Sequence, residues 1–277
     1  AVRALQEMVD LRPALASFAR VSYARELLGD GNGAVAAMRR ALQSAGAPSD
    51  ASWASHQLGQ LHFNAGRLGA AWRAYRRARF LDPKSVPARA GLARVAAARR
   101  RYDRAIGLLR EVTARVPAAE HVILLGEVYE AAGRPSAAAR QYRLLDGIES
   151  LLESGGVNVD LEQALFDADH GLPRAALRAA RAEWRRRKSV HVADALAWAL
   201  YANERYGAAG RFAAKALRLG TRSALFHYHA GMIALRADRA AEAHRYLATA
   251  LDINPYFSVR HAPVARRALA SIGEVRR

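Results

Sequence analysis

The feature that most constrains this chain is a small residue that returns twelve positions ahead of a second small residue, over nearly its whole length. Leu58-Gly59 is followed by Ala71, Tyr75, Ala78 and Pro83; Leu125-Gly126-Glu127-Val128-Tyr129 by Gly133, Ala138 and Tyr142; Ala230-Gly231 by Ala243, Leu247, Ala250 and Pro255. In that register the first small position reads Ser22, Gly59, Ala93, Gly126, Ala164, Ala197 and Gly231. The second reads Ala34, Ala71, Ala105, Ala138, Ala176, Ala209 and Ala243, at successive spacings of 37, 34, 33, 38, 33 and 34 residues. Small residues facing one another let two helix axes approach closely, while the large residues four positions on fill the gaps. A unit of this size cannot bury its apolar face alone, so its neighbours must stack on it.

The pattern L-G-x2-Y followed by A-x3-F and a closing proline resembles the tetratricopeptide repeat, a helix–turn–helix unit of about 34 residues. The resemblance implies an all-α, right-handed α-solenoid of about seven hairpins. The first and third units depart from it, with Arg25 and Ala96 where the family prefers tyrosine. Pro83, Pro117 and Pro255 are expected to follow helix ends, and Gly66, Gly133 and Gly171 to make the turns within hairpins. Residues 1–14 read as the end of a preceding repeat, 15–153 as units one to four, 154–257 as units five to seven, and 258–277 as a C-terminal cap on one continuous solenoid. The longer joint around Ser154-Gly155-Gly156 is the expected site of altered curvature or a hinge, and the helix before it is expected to run through Leu151 or Leu152.

Composition enters mainly through exclusion. The 277 residues include no cysteine, which removes disulfides, Cys-based zinc sites and thiol nucleophiles. Neither P-loop, GxGxxG, GxSxG, HExxH nor a kinase set occurs, so no enzyme and no cofactor is expected. The chain opens Ala1-Val2-Arg3-Ala4, without methionine or a signal-peptide apolar run, and reads as an excised piece whose compartment is open. A formal charge of +18 comes from 43 basic residues, of which only Lys84, Lys188 and Lys215 are lysine. Arginines cluster at 73–79, 99–101 and 185–187, away from the positions that the family uses to bind.

Those positions lie on the first helix of each unit, and the resemblance implies that they line a concave groove. In units four to six they carry Glu120, Glu127, Glu130, Glu162, Asp169 and Asp194 without a lysine or arginine. His191, Trp198 and Tyr201, then Tyr228, His229 and Met232 of unit seven, add rings and a thioether. An acidic strip with aromatic anchors suits a protein or peptide of basic and apolar character. The rival reading is polyanion binding, to nucleic acid or an anionic membrane, through the outer arginines. No specific nucleic-acid recognition is expected, because the basic clusters are scattered over several units. Self-association through repeat ends is a third possibility. The family's carboxylate clamp is absent: its sites hold residues such as His56, Gln60, Gly91, Glu120 and Leu124.

Two His/Asp pairs at helical spacing, Asp167/His170 and His191/Asp194, lie near Asp160, Glu162 and Asp169. A metal site would need both pairs within a few ångströms; none is expected, since His170 before Gly171 suits a helix C-terminus.

Overall fold

The computed structural model describes residues 2–154 and 160–275, and among these residues every regular element is an α-helix. In chain order they are α1 (Val2–Leu11), α2 (Leu15–Leu27), α3 (Gly31–Gln43), α4 (Pro48–Asn64), α5 (Leu68–Leu81), α6 (Val86–Ala98), α7 (Tyr102–Arg115) and α8 (Ala119–Ala131). Then come α9 (Pro135–Ser154), α10 (Asp160–Asp169), α11 (Pro173–Arg186), α12 (Val190–Ala202), α13 (Tyr206–Leu217), α14 (Ala224–Arg236), α15 (Ala240–Ile253) and α16 (His261–Val275). None is long and apolar enough to cross a membrane.

Helix starts follow local chemistry. Asp30, Ser85, Ser189 and Ser223 each accept a hydrogen bond from the backbone N–H three residues on, capping α3, α6, α12 and α14. The helices before Pro83, Pro117 and Pro255 stop at Leu81, Arg115 and Ile253. Within the hairpins the chain turns through a left-handed residue at Gly29, Gly66, Arg100, Gly133, Gly171, Glu204 and Asp238, which recur at the spacings of the repeat register. The long helix of the fourth unit runs to Ser154, slightly beyond its expected end. Residues 155–159, the glycine joint, lie outside the described residues.

Packing follows the small-residue register. Ala34, Ala71, Ala105, Ala138, Ala176, Ala209 and Ala243 are all at most 1% exposed. Ser22 donates its hydroxyl to Ala34 O at 2.8 Å, so the one polar residue in the first small position is satisfied. A Cβ on Gly59 or Gly126 would meet the ring of Tyr75 or Tyr142, and one on Gly231 the side chain of Leu247.

The helices gather into two compact units. The first holds residues 1–117 with 220–222, where Thr221 donates to Leu27 O at 2.6 Å. In it α2 pairs with α3, α4 with α5, and α6 with α7, while α2, α4 and α6 are neighbours. The second holds residues 118–219 and 223–277. Its hairpins are α8/α9, α10/α11, α12/α13 and α14/α15, and α16 packs on α15 and α14. In this second unit α8, α10, α12 and α14 succeed one another as neighbours, so residues of the first helix in each hairpin meet across unit boundaries.

Candidate partner-binding face

Every residue of the expected acidic strip falls in the second unit, on α8 (Glu127, Glu130), α10 (Glu162, Asp169), α12 (His191, Asp194, Trp198, Tyr201) and α14 (Tyr228, His229, Met232). Asp169, at the last turn of α10, stands at their centre. Its Oδ1 accepts from the Trp198 indole at 2.8 Å and from the His261 imidazole at 3.1 Å. Burial works against ionisation of Asp169, but these hydrogen bonds and the neighbouring imidazoles outweigh it and hold its carboxyl below the ordinary range.

Around that carboxylate the rings form a stack. Trp198 lies nearly parallel to Tyr201, with centroids 4.5 Å apart, and to His229 at 4.2 Å. Tyr228 is parallel to His261 at 4.9 Å and tilted against Phe257 at 5.6 Å. Met232 and Tyr201 pack at the margin of the cluster of Trp198 and Tyr228. Burial raises the pKa of the Tyr228 and Tyr201 hydroxyls, so both are neutral donors at ordinary pH.

The strip divides by depth. Asp194 and His229 are 2% and 1% exposed and face each other, the imidazole Nδ1 lying 2.9 and 3.0 Å from the two carboxylate oxygens. They belong to the interior, because a buried carboxylate and a buried imidazole each need the other as hydrogen-bond partner. His229 Nε2 has no partner among the described residues. Trp198 and Tyr228 are buried as well. Glu130, Glu162 and His191 are exposed, and Glu127, Asp169, Tyr201 and Met232 half-buried. His191 sets its ring edge against Phe226 at 5.4 Å, apart from Asp194. His170 bonds Phe166 O at 2.8 Å, the helix-end role expected of it. Among the described residues no three His, Asp or Glu side chains gather to hold a metal.

Two residues that the repeat register does not reach complete the face. Arg260 and His261 stand at the start of α16, in the segment taken for a simple cap. Arg260 gives one guanidinium N–H to Glu130 Oε2 at 2.7 Å and another to Asp169 O at 2.8 Å, at the negative end of α10. Glu127 faces the same place, and its pKa is pushed up to about 7, first by burial and then by Asp169 and Glu130, against the pull of His261 and Arg260. Only the Ser258 hydroxyl, which accepts from the backbone N–H of Arg260 and of His261, marks this junction locally in the sequence.

The basic surplus lies elsewhere. Arg73, Arg76, Arg77 and Arg79 are exposed on α5, and Arg99, Arg100 and Arg101 at a turn. At the end of α11, Arg186 and Arg187 both pair with the buried Glu183, the latter at 2.6 Å.

Residues 62–125 match the family model of the tetratricopeptide repeat. No curated protein matches the sequence. Among solved structures the chain resembles a tetratricopeptide repeat protein from Parabacteroides merdae ATCC 43184, with a TM-score of 0.51 and 15% identity over 94% of this chain and 98% of that one. It also resembles a chain of the APC/C hetero-tetramer Cut9–Hcn1, with a TM-score of 0.51 and 16% identity over 97% of this chain. It spans 52%, about half, of that second chain. At such identities the likeness is one of fold: helix hairpins of the tetratricopeptide type.

Proposed function

We propose that this chain of tetratricopeptide-type hairpins is a non-catalytic scaffold that binds a protein or peptide on the acidic, ring-bearing face of α8, α10, α12 and α14. The observation that carries the reading is the gathering of Glu127, Glu130 and Asp169 with the half-buried Tyr201 and Met232, beside the buried Trp198 and Tyr228, from four successive helices. Carboxylates beside flat apolar rings favour a segment that brings a cation and a ring together. The Cut9–Hcn1 hetero-tetramer is a protein assembly on the same kind of fold, which agrees with a protein partner.

The test is charge reversal on exposed members only: Glu130→Lys with Glu162→Lys. Asp194 is unsuitable, because its replacement would strand His229 in the interior. On an array of synthetic peptides graded in positive charge and aromatic content, the wild type is expected to retain arginine- and aromatic-rich members. The double variant should lose at least tenfold in affinity with an unchanged helical spectrum. Equal retention by both proteins removes the partner from this face.

A second reading has an observation of its own. In the same unit, Arg174, Arg178, Arg181 and Arg185 follow one face of α11 and, with Arg205, line a concavity of about 730 Å³ whose acidic member is the buried Asp167. None of the five arginines is ion-paired among the described residues. Their forked guanidiniums suit phosphate oxygens, and titration with inorganic tripolyphosphate, with Arg178→Glu/Arg181→Glu as control, decides between this concavity and the acidic face.

A further inference from the structure

A cap has one physical task, to cover the last exposed apolar face, and α16 discharges it with Ala265 and Ile272 against Leu247 and Ala250 of α15. The segment leading into α16 does something else. Residues 254–260 form no regular helix, and from them Arg260 extends to Glu130, 130 positions earlier, and to the carbonyl of Asp169, 91 positions earlier. Beside it the ring of His261 lies flat on Tyr228 while its N–H meets Asp169. Phe257 is tilted against Tyr228 as well. A guanidinium between two oxygen acceptors and a ring in a stacked slot are what a bound ligand would supply. Here the chain supplies them itself.

We infer that Arg260-His261 is a resident ligand of the acidic face, and that the protein's partner carries an arginine followed directly by an imidazole or aromatic ring and binds by displacing residues 257–261. The inference rests on the proposed function and adds to it the partner's recognition pair and the contact that partner must break. Two features make the resident segment exchangeable. The Arg260 and Glu130 side chains are 29% and 37% exposed, and a partly solvated ion pair contributes little net stability. A partner arginine would remake the same bonds, so the exchange is close to neutral in enthalpy. The resident pair nevertheless holds the site against weak competitors, because its tether gives it a high effective concentration. Affinity is thereby restricted to partners that also use other exposed groups of these helices, such as Glu162 on α10 and His191 on α12.

The probe is a synthetic nonapeptide with the sequence of residues 254–262, Asn-Pro-Tyr-Phe-Ser-Val-Arg-His-Ala, titrated into the full chain while the indole N–H resonance of Trp198 is followed. Wild type is expected to leave the peptide unbound up to millimolar concentration. Arg260→Ala/His261→Ala should bind it at least tenfold more tightly and shift the Trp198 signal back toward its wild-type position. Adding Glu130→Lys to that variant should abolish the uptake, and a peptide with alanine for both arginine and histidine should not bind. If the double alanine variant loses helix content, Arg260→Gln alone serves, with the same peptide and a smaller gain expected.

A correctly folded variant that takes up the peptide no better than wild type overturns the inference, as does equal binding of the alanine peptide. Failure of the broader reading looks different. There, array peptides bind regardless of Glu130→Lys/Glu162→Lys. If the array peptides need Glu130 but bind wild type and Arg260→Ala/His261→Ala alike, the face is a partner site and Arg260-His261 is only a structural brace.

Discussion

At residue 126 the ring of Tyr142 occupies the space that any side chain would need. A Cβ there would sit 2.2 Å from Tyr142 Cε1, and the ring cannot swing clear because it is wedged against Phe166 at 5.3 Å and His170 at 4.6 Å. Gly126→Leu is therefore expected to cost about 1–3 kcal/mol, read as a fall in the denaturant midpoint. Shrinking the opposing ring with Tyr142→Ala in the same chain should recover part of that loss, since the two sites share one contact. An unchanged midpoint for Gly126→Leu would show that the helices do not meet there. Gly126 was legible in the sequence because its role recurs: the same small residue answers the same ring or leucine at Gly59 and Gly231. Asp194 and His229 were not legible in this way. Each occupies a position that a repeat scaffold commonly leaves open to a partner, and only their juxtaposition, 35 positions apart, makes them an interior pair. A one-off contact leaves no period behind.

Among elements, the turns inside the hairpins show how far a pattern reaches. All seven use a left-handed residue, but only four place glycine there; Arg100, Glu204 and Asp238 adopt φ of 57–58° in its stead. The glycine-marked turns could be read from residue type, whereas the other three follow only from the constant distance between helices. Holding a side chain in that conformation costs about 1–2 kcal/mol, and glycine's greater freedom when unfolded gives back part of the gain on its removal. Glu204→Gly should accordingly raise stability by up to about 1 kcal/mol, measured as a higher melting temperature with the helical spectrum unchanged. A lower melting temperature would mean that the Glu204 side chain contributes more than its backbone strain removes. The same limit explains why α16 was foreseen and its first residues were not. The need to cover α15 predicts a helix, but nothing periodic predicts that Arg260 and His261 at its start extend back to α8 and α10.

For the whole molecule, pH acts on the two compact units differently, because the second holds a raised carboxyl, Glu127, for which the first has no counterpart among its described residues. In the first unit, His56 and His62 have pKa values pulled down to about 4, chiefly by burial and then by nearby arginines, Arg94 for the one and Arg67, Arg39 and Arg73 for the other. The unfolded chain takes up these protons near 6.5 while the folded unit refuses them until about 4. Their contribution is complete above 6.5 and is lost progressively as pH falls toward 4. In the second unit Glu127 behaves inversely: it binds its proton near 7 when folded and near 4.5 when unfolded. Its contribution is complete below 4.5 and disappears as pH rises through 7. Acidification from pH 8 to 5 should weaken the first unit by about 1–2 kcal/mol per histidine, at 1.36 kcal/mol per pKa unit, whereas in the second unit protonation of Glu127 opposes the loss from His121 and His170, whose pKa values burial also lowers. Hydrogen exchange followed by mass spectrometry, corrected for the intrinsic pH dependence, should show protection of α4 falling over this range while that of α8, which carries both Glu127 and His121, is better retained. Glu127→Gln should remove that retention, so that α8 loses protection on acidification, and leave the α4 response intact. Parallel loss of protection in both helices would mean that burial at Glu127 is relieved by solvent, and that the carboxylates facing Arg260 titrate as ordinary surface acids.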